Sequence, residues 1–536
     1  MINSRKIQTW LPLLLGTVMA IGMLGGYRLY KHMAWRQVPQ LLGNSGSAQQ
    51  VLDLLKLKYV DSLAIDSLEM GAIENMMRRL DPHSVFIPAS SIAEVDAELH
   101  GNFSGIGVEY QILLDTVMVV YVLENGPAAQ AGLQAGDAII KVNDSLVAGI
   151  NIEGTQLRSL LRGKKQSKVD VSLLRNGSLV KKTITRGEVP LPSVDAQYMI
   201  APGVGYIHLN RFAETSFFEF MDAATALEKQ GLQQLILDLR GNGGGLLEEA
   251  SNITDELLED GLTIVTTKGA HVKPQTTTAT KPGIFEKGTL IILQDDQSAS
   301  ASEVVAGALQ DHDRATVVGT RSFGKGLVQE QFTLANGGAL RLTTARYFTP
   351  LGRSIQKPYD SGYDAYRHEV MLRTKNGSTA KQTDTVGKKV FTTRKGKRLY
   401  EAGGITPDIQ VSPDTALLPK SLRRLYTSNI VSELTFQIFL REKNTINAFT
   451  DINAFNNGYN LGEANWQEVV KRAAADSINL SNLQPAEKAI IEARLKATIA
   501  RYKWRNTGYL QLINQNDPVV KEALLFLQKN PSAGVE

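Results

Sequence analysis

The apolar positions change their spacing several times along the chain, and each spacing predicts a different element. Residues 10–27 are mostly apolar and follow Arg5 and Lys6. That length is about the minimum for a membrane span, and Arg28 just beyond it can snorkel to the interface. A secretory signal shares the charged start and the apolar middle. No small-x-small cleavage site follows, so a retained anchor is expected for residues 1–30, with a cleaved signal as the alternative. Arg5, Lys6 and the amino terminus balance Arg28, Lys31 and Arg36, so the orientation is only weakly coded. Gly43-Asn44-Ser45-Gly46-Ser47 reads as a linker. Over 40–96, Val51, Leu52, Leu54, Leu55 and Leu57, then Met70, Ile73, Met76, Met77 and Leu80, recur at helical spacing. They predict a helical arm. Amphipathic spacing leaves open whether it pairs with a second copy or forms an ordinary subdomain.

From 97 to 187 the pattern shifts to short strands and glycine turns. Ser104-Gly105-Ile106-Gly107 leads into strand-like runs and then Ala131-Gly132-Leu133-Gln134-Ala135-Gly136-Asp137. This stretch resembles a PDZ domain. The resemblance implies that extended peptide ends add as a strand while backbone N–H groups capture the terminal carboxylate. It places the capture loop at Ser104, Gly105, Ile106 and Gly107. Over 188–412 apolar strand runs such as Leu235-Ile236-Leu237 and Leu290-Ile291-Ile292-Leu293 alternate with helical stretches, which argues for an α/β core. Residues 361–395 show no clear period and predict a surface insertion, and 413–536 reads as helical.

Composition narrows the chemistry. The chain has 536 residues, 7 His and no Cys. Such a length suggests about three or four domains. Without Cys there is no disulfide framework, cysteine nucleophile, thiolate zinc site or lipidated thiol. No H-E-x-x-H occurs, so neither a metal nor a cofactor is expected. A net charge of +4 gives no electrostatic argument for nucleic acid binding.

Three segments could carry chemistry. Ser298-Ala299-Ser300-Ala301-Ser302-Glu303 lies between a strand and a helix, where a serine is exposed beside free N–H groups. Ser300-x-x-Glu303 is equally a capping box that merely starts a helix. Gly319-Thr320-Arg321-Ser322-Phe323-Gly324-Lys325-Gly326 looks like a phosphate loop, but Gly326 stands where a metal-binding hydroxyl should, and a strand-like run follows. Lys325 is then either functional or simply solvated. Arg240-Gly241-Asn242-Gly243-Gly244-Gly245-Leu246 fails the dinucleotide fingerprint, yet it could present N–H groups to an anion or be a plain turn.

Taken together, these segments resemble the carboxyl-terminal processing peptidases, also called tail-specific proteases, which are PDZ-containing serine endopeptidases with a serine–lysine dyad. The resemblance runs from Leu80-Asp81-Pro82-His83-Ser84 to Gly403-Gly404-Ile405-Thr406-Pro407-Asp408. It implies a multidomain α/β protein: a crotonase-like catalytic core, an inserted PDZ-like domain, a helical N-terminal arm and a helical C-terminal region. By position, Ser300 matches the nucleophile, Lys325 the general base and Gln329 the residue that orients it. Ala301 and Gly244 match the oxyanion donors. The implied partners are protein or peptide substrates with exposed C-termini, and a homo-oligomer is one expectation. The N-terminal segment points to the cell envelope, with the catalytic part on the periplasmic side. The chain departs from the family pattern in its Gly-Asn-Gly-Gly-Gly loop, in Gln297 and in Ala402.

The chemistry makes demands on these residues. A serine needs a base, and a lysine with a pKa of about 10.4 serves only when burial lowers it to about 7–8. A shift of about three units costs about 4 kcal/mol, which the folded site must supply. Gln329 reaches Lys325 at a helical spacing of about 5–6 Å, but not along a strand, at about 13 Å. A turn at Gly326 is therefore expected. Two other readings stand beside the protease: a non-catalytic peptide- or lipid-binding scaffold on the same fold, and a serine–histidine hydrolase using His312 or His208.

Overall fold

Strand runs such as Leu235-Ile236-Leu237 are apolar on both faces, and only a sheet covered on both sides can bury them. The computed structural model describes residues 12, 15–29, 46–375, 389–401, 403–411 and 420–530. It divides into two units, Met1–Leu80 and Asp81–Glu536.

In the second unit the central sheet runs in the order Val194–Ala201, Val204–Leu209, Gln234–Asp238, Thr289–Gln294, Ala315–Gly319, Ile409–Gln410. Its first pair is antiparallel and the remaining pairs are parallel. Parallel neighbours need long crossovers, and helices Ser216–Glu228, Leu247–Asp255 and Ala301–Asp311 lie in them. Successive strand residues face opposite sides. Leu237 and Ile292 therefore join Val305 and Leu309 in one core, while Ile236 and Ile291 pack under Val520, Ala523 and Leu527 of helix Pro518–Lys529. The end of the chain thus closes the second face of the sheet.

A second sheet joins Val85–Ile87, Ala339–Phe348, Thr263–Lys268 and Gln275–Thr278, with Leu327–Thr333 paired to Ala339–Phe348. The PDZ-like part is an antiparallel sheet of Val108–Leu113, Thr116–Val122, Ala138–Val142, Lys168–Arg175 and Ser178–Thr185, with helix Gly154–Leu161. Val108–Leu113 lies at its edge, open on one side to a further strand.

The C-terminal region is helical and has its own core, including Phe436, Phe439, Phe455 and Trp466. Leu113 and Val120 of the PDZ-like sheet belong to that same core. Helix Pro485–Ile513 breaks at Arg505, whose φ is 59° and ψ −155°. There the Arg505 guanidinium pairs with the Glu109 carboxylate and lies 3.8 Å over the Tyr121 ring. The next side chain, Asn506, donates to Asp195 Oδ2 at 2.6 Å on the central sheet. One helix break therefore ties the PDZ-like strand and the central sheet to the tail.

Residues 361–395, expected as a surface insertion, include helix Tyr363–Lys375, and Val390–Thr392 pairs with Arg398–Tyr400. Tyr366 of that helix is buried. Residues 376–388 of that span lie outside the described residues, as do most of the Gly43–Ser47 linker motif and part of the 10–27 segment. In the first unit, helices Ser47–Lys58 and Ile65–Arg78 contain no buried residue. Among the described residues, no helix is long and apolar enough to cross a membrane.

Candidate active site

Strand Thr289–Gln294 ends in a turn held by Asp295. Its Oδ1 accepts from the N–H groups of Gln297 and Ser298, both at 3.0 Å, and from Gly241 N–H at 3.0 Å. Ser300 follows with φ 57° and ψ −114°, a conformation rare for a side chain that carries a Cβ. Helix Ala301–Asp311 starts directly after it, and among the described residues the Ala301 N–H has no acceptor. A serine on a strained turn at a helix N-terminus is placed for attack with a donor beside it.

Glu303 is the cap that the sequence suggested, and it does more than cap. Its buried carboxylate accepts from Ser300 N–H at 2.9 Å, Ser322 Oγ at 2.5 Å, Gly324 N–H at 2.7 Å and Lys325 N–H at 2.8 Å. One side chain thus ties the serine turn to the lysine loop. Burial pushes its carboxyl up to about 7, against those donors. Tyr347 makes a second tie, its hydroxyl lying 2.9 Å from the Ser300 carbonyl and 2.6 Å from that of Lys325. The late Gly404-Ile405 segment supports the same loop through Ile405 N–H, which donates to Ser322 Oγ at 2.6 Å.

Lys325 Nζ donates to Gln329 Oε1 at 2.9 Å. The contact forms without a helix. Lys325 lies in irregular backbone before strand Leu327–Thr333, Gly326 N–H is held by Gln356 Oε1 at 2.9 Å, and the pairing register shifts between Val328 and Gln329. Burial first, then the Arg341 guanidinium, pushes the Lys325 ammonium below the usual lysine range, against Glu303 and Asp81. Among the described residues Lys325 Nζ donates to Gln329 and not to Ser300 Oγ. The lysine lines a cleft of about 380 Å³ with His83, Gly243, Ala299, Phe323 and Val370.

The glycine loop sits against the serine. Arg240, which opens it, is locked between Asp238 at 2.6 Å and Asp517 at 2.7 Å. Asn242 carbonyl oxygen accepts from Ala299 N–H at 3.0 Å and Ser302 Oγ at 2.9 Å. Gly244, with φ +99°, is so close that a Cβ there would lie 2.8 Å from Ser300 Cβ. Its N–H, expected to face an oxyanion, is instead donated to Asn242 Oδ1 at 2.9 Å. The Asn242 side chain curls back onto its own loop and consumes that donor. The Gly243 N–H has no acceptor among the described residues, and Gly243 lines the cleft.

The alternative bases are engaged elsewhere. His312 Nε2 lies 2.7 Å from the Thr263 carbonyl, and His208 Nδ1 lies 2.5 Å from Asp195 Oδ1. In the PDZ-like part, Ser104 and Gly105 lie in a strand paired with Glu188 and Gly187. The N–H groups of Ile106 and Gly107 have no acceptor among the described residues.

A family model for peptidase family S41 matches residues 203–363 and one for PDZ domains matches 104–185. The chain is 35% identical over 313 residues to a carboxy-terminal-processing protease of Bartonella bacilliformis, covering 57% of this chain and 71% of that one. The chain belongs to the carboxy-terminal processing proteases of peptidase family S41. It is a serine-type peptidase with a PDZ domain. It is also 33% identical over 305 residues to the carboxy-terminal processing protease CtpA of Bacillus subtilis, covering 56% of this chain and 65% of the relative. Among solved structures, the photosystem II D1 C-terminal processing protease aligns at 28% identity over 74% of this chain and 95% of that one, with a TM-score of 0.36. Residues 421–505 match a family of unknown function.

Sequence reasoning gave no role to several residues that surround Lys325 and Gln329 in this protease. Asp81 Oδ1 accepts from His83 N–H and Ser84 N–H, both at 2.8 Å, and its Oδ2 accepts from Ser84 Oγ at 2.6 Å. The His83 carbonyl accepts from Gln329 Nε2 at 2.6 Å. The His83 ring lies 2.8 Å from Tyr366 OH, and burial first, then Lys325 and Lys357, lowers its pKa to about 4, against Asp81. The Asp-Pro-His-Ser run could have signalled a side-chain-capped turn. For Tyr347 and Arg341 no sequence signal existed.

Proposed function

We propose that this protease binds the C-terminal tail of a protein substrate in its PDZ domain and cleaves a peptide bond with a Ser300–Lys325 dyad. Neutral Lys325 takes the Ser300 Oγ proton, and Oγ attacks the substrate carbonyl. The developing oxyanion is received by the N–H groups of Ala301 and Gly243. The Lys325 ammonium then gives its proton to the leaving amine, and an acyl-enzyme forms. Water, losing a proton to the same lysine, attacks the ester; the lysine returns that proton to the departing Ser300 Oγ, and the new C-terminus is released. Gln329 Oε1 accepts from the lysine and fixes the direction of its lone pair. The observation that carries this reading is the Glu303 carboxylate, which binds the backbones of Ser300 and Lys325 at 2.9 and 2.8 Å. A helix cap alone would not bond a loop more than twenty residues further on.

Tail capture rests on the unengaged N–H groups of Ile106 and Gly107, followed by the open edge of Val108–Leu113. The parallel sheet with helical crossovers supports a crotonase-like core. We place the protein in the cell envelope through residues 1–30, with the protease on the periplasmic side. Fractionation of cells with and without those residues tests that placement. The catalytic reading is tested by Ser300→Ala and Lys325→Ala in the full chain, assayed on a quenched peptide with an apolar C-terminus. Both lose turnover; wild-type turnover in either removes the dyad.

A further inference from the structure

The hydrogen bonds around Gln329 point beyond the dyad. We propose that Asp81 is a positioning residue: its carboxylate folds the 81–84 turn so that the His83 carbonyl fixes the amide of Gln329, which orients Lys325. The proposal rests on the Ser300–Lys325 reading given above.

Gln329 must present oxygen, not nitrogen, to Lys325, because the lysine nitrogen is a donor there at 2.9 Å. A primary amide has both ends, and rotation by half a turn would exchange them. The amide is therefore informative only if its other end is fixed. The His83 carbonyl is an acceptor alone, and it takes Gln329 Nε2 at 2.6 Å, which leaves Oε1 towards the lysine. That carbonyl is in turn fixed by Asp81, which collects both backbone N–H groups of the turn on Oδ1 and Ser84 Oγ on Oδ2. Ser84 Oγ also accepts from Thr343 N–H at 3.1 Å, and Thr343 is the strand partner of Gln329. The turn is thus pinned to the strand pair that carries the amide. Asp81 is buried, with its side chain used for this turn.

Asp81 also acts through charge, and the two effects separate. Lys325 faces Arg341, Glu303, Asp81 and His83; the Asp81 carboxylate raises its pKa. Removing the charge but keeping the turn therefore moves the alkaline-rising limb of the rate to lower pH. Opening the turn and admitting water to the lysine moves it to higher pH, because lost burial restores the ammonium.

The test uses the full chain and a quenched peptide with an apolar C-terminus. Asp81→Ala loses the turn and is expected to lower kcat about 10²-fold, the scale of a misplaced catalytic group, with KM within about twofold. Asp81→Asn keeps the Oδ1 acceptor for both N–H groups and recovers most of that loss, with its limb at lower pH than wild type. In a double-mutant cycle, Asp81→Ala costs little once Gln329→Ala is present, since it acts through that amide. Additive losses in the cycle overturn the proposal. So does Asp81→Ala within about threefold of wild type, or Asp81→Asn as poor as Asp81→Ala. Should Asp81→Ala not fold, Ser84→Ala takes its place in the cycle, with a smaller loss and the same non-additivity expected. Lys325→Ala runs alongside. If it retains turnover, the dyad reading has failed; if it is inactive while the Asp81 variants behave as wild type, only the Asp81 proposal has.

Discussion

Gly244→Ala tests how closely the glycine loop is fitted to the nucleophile. An added Cβ would lie 2.8 Å from Ser300 Cβ, 2.7 Å from the Ala299 carbonyl oxygen and 3.0 Å from Ala301 N. Carbon atoms rest about 3.5 Å apart, so the loop and the serine turn must separate by about 0.7 Å. That movement is applied to the nucleophile and to the Ala301 N–H together. Displacing a reacting group by about 1 Å costs about 10²-fold, and losing one oxyanion donor costs about 10²–10³-fold, or about 2.7–4 kcal/mol. We expect the labelling rate of Ser300 by a small fluorophosphonate to fall 10²–10³-fold, while a C-terminal peptide still binds the PDZ domain with unchanged affinity. Backbone strain is controlled by Gly241→Ala. Gly241 has φ +72°, also left-handed, but no atom within 4 Å of an added Cβ. That variant carries only the conformational cost, about 1–2 kcal/mol of stability, and keeps labelling within about threefold. Equal labelling losses in the two variants would show that strain, not the fit to Ser300, governs the loop and would refute the reasoning.

Other outcomes follow from single contacts. Arg341 depresses the Lys325 pKa, so Arg341→Gln raises it and moves the rising limb of kcat/KM to higher pH; an unmoved limb would exclude that influence. Glu303→Gln exchanges one of two accepting oxygens for a donor, leaving two of its four donors unmatched. At about 1.5–3 kcal/mol per charge-assisted bond that is about 3–6 kcal/mol, seen as a lower urea midpoint with loss of labelling. In the wild type, labelling falls as pH drops through about 7, where the Glu303 carboxyl takes up a proton. At Arg505, Gly accepts the φ of 59° that strains Ala. Both variants lose the Glu109 pairing, and urea unfolding should rank Arg505→Gly about 1 kcal/mol or more above Arg505→Ala; the reverse order would remove strain from the account.

The site was legible where its chemistry depends on side-chain identity, and hidden where it depends on backbone. Ser300, Lys325 and Gln329 were nominated by the resemblance of their motifs, taken together, to a known family; alone, the first read equally as a helix cap and the second as a solvated lysine. The contact between Lys325 and Gln329 could only be posed as a condition, because a regular strand forbids it and the register shift that permits it leaves no mark in the residues. Gly244 illustrates the opposite failure. Glycines advertise close approach, and the approach to Ser300 is there, but the sequence does not tell which of three adjacent N–H groups is consumed by Asn242. His83 is harder still. Its contribution to Gln329 is a carbonyl oxygen, which every residue owns, delivered across 246 positions of chain. The tail shows the same limit: Arg505 meets Glu109 across 396 positions, at a helix break whose own residue is neither Pro nor Gly. Both cases share a physical cause. A contact whose acceptor or geometry is generic imposes no residue type at one of its ends, so the position can be found only once the fold has brought the two ends together. For this protease sequence reasoning can therefore nominate Ser300 and Lys325 as the proposed nucleophile and base, and the groups that hold them in position come only from the structure.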